Sequence, residues 1–172
     1  SITTGNYNTV VGSGAASQGN FSYAAALGYQ ALYNNTASYN TAVGYQAGYS
    51  NTTGIELVAV GNLALLANTT GNYNTAVGNA ASKNNTTGAN NVSLGDAALF
   101  INTTGANNTA LGREALYNNT TANANTAVGY QAGYLNTTGG SNTGVGYQAG
   151  YSNTVGLENT FIGYGAGYSS NV

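Results

Sequence analysis

The chain has no cysteine, histidine, proline, methionine or tryptophan, and it carries very little charge. Without cysteine and histidine, the common thiolate nucleophile and general base are missing. Zinc, haem and iron–sulfur sites lose their usual ligands for the same reason. Two basic and four acidic side chains, a net charge of −2, are too few to grip phosphates by counterion release. We therefore predict a non-enzymatic protein with no cofactor, no metal site and no nucleic-acid partner.

Long hydrophobic runs are also absent. The longest, such as residues 63–67, fall far short of the roughly 20 residues that a membrane-spanning helix needs, so we expect no membrane insertion. The lack of methionine predicts a processed product, an excised fragment or the ordered part of a longer chain. Fifteen tyrosines and three phenylalanines, with abundant valine, leucine and alanine, argue against disorder.

What the chain does contain is one repeat over its whole length, residues 1–172, which predicts a single domain. A glycine recurs at two intervals of sixteen and then seven of seventeen positions. A branched aliphatic residue precedes each of these glycines, and an alanine follows three residues later. The ten repeat glycines are Gly12, Gly28, Gly44, Gly61, Gly78, Gly95, Gly112, Gly129, Gly146 and Gly163.

A repeat this short cannot form the helix pairs of longer repeat families, and it lacks the periodicity of a helix. Thr-Ala-Val and Tyr-Gln-Ala-Gly-Tyr instead alternate with period two, which is typical of short strands. We predict an all-β fold, a parallel β-solenoid or β-roll of ten coils, about 48 Å long at ~4.8 Å per coil. Because the aliphatic before the glycine never becomes polar, we expect it to face the core with the threonine two residues earlier. A charge at Val77 or Val128 would then be buried.

The tyrosines fall in three columns of the repeat. Those directly after the glycine are candidate contacts with a surface or receptor, since tyrosine joins a flat apolar face to a polar tip. Stacked ladders that seal coil edges or a subunit interface are the alternative, which we weight more heavily. The candidate contact residues are Tyr29, Tyr45, Tyr130, Tyr147 and Tyr164.

An asparagine stands seven residues after the glycine in eight repeats. Identical amides one coil apart hydrogen-bond as in cross-β stacks, so we predict a structural ladder. The threonine pairs that follow, such as Thr52/Thr53, would form a regular hydroxyl array, as on ice-binding solenoids. The predicted ladder is Asn35, Asn51, Asn68, Asn85, Asn102, Asn119, Asn136 and Asn153.

Two repeat families resemble this sequence. Residues 58–61 and 92–95, Val-Ala-Val-Gly and Val-Ser-Leu-Gly, resemble the head repeats of trimeric autotransporter adhesins. Residues 125–139, Asn-Thr-Ala-Val-Gly-Tyr-Gln-Ala-Gly-Tyr-Leu-Asn-Thr-Thr-Gly, look even more like repeats of bacteriophage tail-fibre proteins. The first resemblance implies a left-handed β-roll that trimerises. The longer coil of this chain and its tyrosines depart from the adhesin pattern.

These observations favour an extracellular, cell-surface or virion rod, a repeat segment of a tail fibre or adhesin. Its expected partners are copies of itself, as a homotrimer or head-to-tail polymer, and a cell-surface glycan or host receptor. A self-assembling filament subunit and an ice- or surface-binding solenoid are the alternatives. Because neither terminal coil has a proline or a charge run to blunt its edge, we expect more chain or neighbouring copies to cover the ends.

Overall fold

A computed structural model describes residues 5–170 as ten three-residue strands in one parallel sheet, whose order follows the chain. Within these residues there is no helix long and apolar enough to cross a membrane. The strands are β1 (Thr9–Val11), β2 (Ala25–Leu27), β3 (Thr41–Val43), β4 (Val58–Val60), β5 (Thr75–Val77), β6 (Val92–Leu94), β7 (Thr109–Leu111), β8 (Thr126–Val128), β9 (Thr143–Val145) and β10 (Thr160–Ile162).

Equivalent residues of successive repeats are paired, so the predicted parallel β-solenoid is confirmed. Thr75 pairs with Val92, for example, and Val77 with Leu94. Each strand ends at a repeat glycine, and two separate constraints on that position require glycine. Gly78 has a φ of 140°, and a Cβ there would clash with the carbonyl oxygen of Gly95 in the next coil. Close coil stacking therefore explains why this residue never varies.

The second predicted strand, Tyr-Gln-Ala-Gly-Tyr, is wrong: this segment is a run of turns. In residues 44–51, left-handed Gln46 and Gly48 alternate with right-handed or extended residues. The N–H groups of Ala47 and Tyr49 consequently bond back three residues, at 3.5 and 3.3 Å. The N–H of Gly48 instead bonds to the next coil, at 2.9 Å. A period of two in this segment thus reflects alternating left-handed and right-handed or extended backbone, not a strand.

The apolar interior is thin and consists mainly of alanine. The central residue of each inner strand and the alanine three after the glycine are both fully buried, as at Ala76 and Ala81. One residue further along, Leu32 and Leu116 add volume where the next coil has glycine. A Cβ on Gly48 would come within 2.9 Å of Leu32 Cδ2, so the leucine fills the space that the glycine leaves.

Paired hydroxyls divide this apolar interior near the middle of the rod. The Ser82 Oγ donates to the Ser93 Oγ at 2.9 Å, and both side chains are buried. One alanine-leucine cluster ends at Ala81, and the second begins at Ala98. Because each hydroxyl has a partner, the two serines replace apolar residues without leaving an unsatisfied group.

The predicted core column is wrong. The aliphatic before the glycine faces outward: Val11, Leu94 and Ile162 are 56%, 50% and 69% exposed, and Val77 and Val128 are half-buried. Side chains in a strand alternate between faces, so the threonine and the aliphatic do share a face, but it is the outer one. The small central residue faces inward because the interior between strand and turns accommodates little more than a methyl group.

Enlarging Ala76 to leucine should therefore destabilise the protein, whereas the same enlargement at Val77 should be tolerated. We expect Ala76→Leu to lower the free energy of unfolding by about 1–3 kcal/mol through overpacking. Val77→Leu should change it by less than about 0.5 kcal/mol, as at other surface sites, since leucine already occupies this column at Leu94. Thermal unfolding followed by circular dichroism distinguishes the two. A larger loss for Val77→Leu would contradict the assignment of faces.

Candidate functional site

The tyrosines after the repeat glycines form stacked ladders on the surface. The rings of Tyr29 and Tyr45 lie 5.5 Å apart, and those of Tyr130, Tyr147 and Tyr164 follow at 5.3 and 4.9 Å. The interplanar angles of these pairs are 11°, 19° and 6°, so the rings are nearly parallel. Neighbouring rings cover one another's faces, and the ladders present mainly ring edges to solvent. Such a surface offers lateral contacts, with open ring faces only where a ladder ends.

Between the two ladders, the same column changes to polar side chains that still pair from coil to coil. Asn62 donates to Asn79 at 2.8 Å, and Asn79 donates to Asp96 at 2.7 Å. Arg113 lies 3.6 Å from Asp96 and 3.0 Å from Glu114, and its guanidinium sits over the Tyr130 ring at 5.9 Å. The hydrogen bond from Arg113 to Glu114 raises the pKa of Arg113. The column is therefore continuous, although its chemistry changes.

Two further columns hold stacked aromatic rings. Phe100 begins a ladder that continues through Tyr117, Tyr134, Tyr151 and Tyr168, with centroid distances of 4.9–5.2 Å. Partial burial is the main cause that raises the pKa of Tyr134 and of Tyr151, and nearby Glu114 contributes to both. Five residues before the glycine, Tyr7, Tyr23 and Tyr39 stack at 5.1 Å.

The asparagines seven residues after the glycine line the interior as a hydrogen-bonded ladder. Asn51 Nδ2 donates to Asn35 Oδ1 at 2.7 Å, and Asn102 Nδ2 donates to Asn85 Oδ1 at 2.7 Å. All eight side chains are at most 2% exposed. The acceptor amide of a glycosylation triplet such as Asn51-Thr52-Thr53 is therefore inaccessible in the folded chain.

A second buried asparagine column, four residues before the glycine, was missed by sequence reasoning. Asn74 Nδ2 donates to the Gly88 carbonyl at 2.7 Å, and Asn74 Oδ1 accepts the backbone N–H of Asn91 at 2.9 Å. The signal was visible, since asparagine stands directly before the strand in eight of the ten repeats. The buried asparagines of this column are Asn40, Asn74, Asn91, Asn108, Asn125 and Asn142, and buried Ala24 and Leu57 take the position in two other coils.

The threonine pairs divide into two roles. The first threonine of each pair donates its hydroxyl to the backbone of the next coil, as Thr52 Oγ1 does to the Thr69 carbonyl at 2.9 Å. The second threonine, as at Thr53 and Thr87, is exposed. The hydroxyls of the first threonines therefore hydrogen-bond from coil to coil, and those of the second threonines face solvent.

Acidic side chains are few and scattered. Among residues 5–170, no three aspartate, glutamate, cysteine or histidine side chains come together as a group that could hold a metal ion. In the same part of the chain, the chemical groups available on the surface are mainly phenol, amide and threonine hydroxyl groups together with the aliphatic rank of the sheet.

Together, the fold and its columns define a β-solenoid repeat protein. In comparisons with protein-family models, curated proteins and solved structures, nothing matched this chain.

Removing one interior amide should weaken the rod much more than removing a surface amide. Asn85 bonds to Asn68, Asn102 and the Gly88 carbonyl. Asn85→Ala therefore removes the acceptor of one Asn102 amide N–H and leaves Asn68 Oδ1 with only the 3.4 Å contact from Asn74. We expect a loss of about 2–4 kcal/mol, since each orphaned group costs about 1–3 kcal/mol.

Asn62→Ala is the matched control, because that exposed side chain donates to Asn79 in a surface ladder. We expect it to cost less than about 0.5 kcal/mol. Urea unfolding of both variants gives the comparison, and equal losses would show that the interior ladder does not stabilise the fold.

Stability should fall in alkaline solution because of the tyrosine ladder. The pKa values of Tyr134 and Tyr151 are higher in the folded chain than the ordinary value, so the fold favours the neutral phenols. Their contribution is complete below the unfolded pKa of about 10 and is lost as pH rises above it. Urea unfolding from about pH 8 to about pH 11 should show this decline. Tyr134→Phe should make it shallower, and an unchanged slope would contradict this explanation.

Proposed function

We propose that this chain is a non-enzymatic, rod-like segment of an extracellular fibre of the tail-fibre or adhesin type. In this role it associates with copies of itself and presents a repeating surface to a cell-surface glycan or host receptor. The observation that carries the proposal is an uncovered row of aliphatic side chains on the outer face of the sheet. The outer sheet face, defined as the first and third residues of β1–β10, contains only threonine, alanine, valine, leucine and isoleucine.

The third residues of the strands form an aliphatic rank along the entire outer sheet face. Leu27 is 48% exposed and Leu94 is 50% exposed, and no polar residue interrupts the rank between Val11 and Ile162. Scattered surface aliphatics are ordinary, but a contiguous apolar patch on a soluble protein marks an interaction site. A face this regular is best covered by another face with the same coil spacing, and a second copy of the chain provides one.

A rod of this kind also suits a segment that extends a fibre. Ten strands joined by nine parallel pairings span about 43 Å from first to last, at ~4.8 Å per interval. Each coil contacts only its neighbours, so length is set by the number of repeats. The resemblance to tail-fibre and adhesin repeats supports an extracellular or virion location.

The tyrosine ladders are the surface that we assign to receptor contact. Ring edges carry phenol hydroxyl groups, and each hydroxyl both donates and accepts hydrogen bonds. Because the ring faces are covered by stacking, recognition of a glycan would depend on hydroxyl contacts along the ladder. The exposed side chains of Tyr29, Tyr45, Tyr147 and Tyr164 are best placed for this role.

Ice or surface binding is the second candidate, and the composition of the same face favours it over the filament alternative. The outer sheet face carries a threonine rank beside the aliphatic rank, which makes a regular two-rank array on one parallel sheet. The threonines of this rank are Thr9, Thr41, Thr75, Thr109, Thr126, Thr143 and Thr160.

Charged substitutions on the outer sheet face test self-association. We expect the double variant Val77→Asp/Leu94→Asp to keep its circular dichroism but to sediment as a 17.2 kDa monomer, because two unpaired carboxylates would be buried in the contact. Thr87→Asp/Thr104→Asp, which adds the same charge at exposed turns, should remain assembled.

A monomeric unmodified chain at micromolar concentration would overturn the fibre proposal. Thermal hysteresis by that monomer, abolished by the Val77→Asp/Leu94→Asp change, would then support ice binding instead. Assembly lost equally in both double variants would contradict the choice of face.

A further inference from the structure

Near the C-terminal end of the rod, the interior is incompletely filled. The central residue of β9 is Gly144, where most strands have alanine, and Gly133 and Gly150 stand where other coils have leucine. The Leu116 side chain packs at Gly133 and the Phe161 ring packs at Gly150, but a cavity of about 20 Å³ remains beside Gly144. The residues that line it include Leu116, Asn136, Gly144, Gly150, Asn153 and Phe161.

The amide ladder is broken beside this cavity. Asn136 Nδ2 donates to Asn119 Oδ1 and to the Gly139 carbonyl, both at 2.9 Å. Its Oδ1 has no hydrogen-bond partner, although the side chain is only 2% exposed. In every earlier coil of the ladder, the next asparagine supplies the missing donor.

Asn153 does not supply that donor because its amide is turned toward its own loop. Asn153 Oδ1 accepts the N–H of Gly156 at 3.1 Å, and Nδ2 is 3.5 Å from the Gly156 carbonyl. The following coil has Ser170 at this position, so no further amide would satisfy Asn153 Oδ1. Because the Asn153 amide is turned toward Gly156, Asn153 Oδ1 has a hydrogen-bond donor, but Asn136 Oδ1 has none.

We propose that the cavity is a binding site for one structural water molecule, which donates a hydrogen bond to Asn136 Oδ1. A cavity of this size holds a single water, for which about 10–15 Å³ is sufficient. The water oxygen can accept from Asn153 Nδ2, whose bond to Gly156 is long. No charged side chain lines the cavity, so an ion is not the expected ligand.

The direct test is a nuclear Overhauser experiment between water and the Asn136 side-chain amide in the unmodified chain. A long-lived cross-peak at Asn136, and none at Asn85 within the intact ladder, is the expected result. Absence of the Asn136 cross-peak in a folded sample would overturn the proposal.

Discussion

Every feature of this protein depends on the stacking of equivalent residues one coil apart. Parallel backbone hydrogen bonds set the spacing of about 4.8 Å, and at that distance each side chain touches its counterpart in the next repeat. Amides then bond to amides and rings stack on rings. Where chemistry changes, as from Asn79 to Asp96 and Arg113, the new neighbours still complement each other. The same residue pattern recurs along the chain because the side chains of each coil pack against their counterparts in the next.

The interior combines an apolar half, mainly alanine, with a polar half made of asparagine amides. Alanine columns such as that of Ala76 and Ala81 allow the strand and the turns to approach closely. The other half contains two asparagine columns whose donors and acceptors are matched within the chain. Burying so many amides is tolerable only if nearly all are satisfied. Among the described residues, the orphaned acceptor Asn136 Oδ1 therefore stands out against a ladder that is otherwise complete.

With the interior so small, much of the apolar material lies on the surface. The aliphatic rank of the outer sheet face is uncovered, whereas the tyrosine ladders occupy the turns. The two rows run side by side along the rod, because the aliphatic residue directly precedes the repeat glycine and the tyrosine directly follows it, as Leu27 and Tyr29 do.

The sequence by itself determined the period, the ten coils and the parallel solenoid, because an unvarying glycine at so short and regular an interval allows little else. It also predicted the asparagine column, since identical amides in register have an obvious way to bond. It did not reveal which side of the strand faces inward. Threonine and valine flank a small residue in both arrangements, and only the narrowness of the closed coil favours alanine inside. The turns were likewise decided by tertiary structure, because left-handed Gln46 is held in place by its 2.9 Å bond to Tyr29 in the preceding coil, which no local pattern contains.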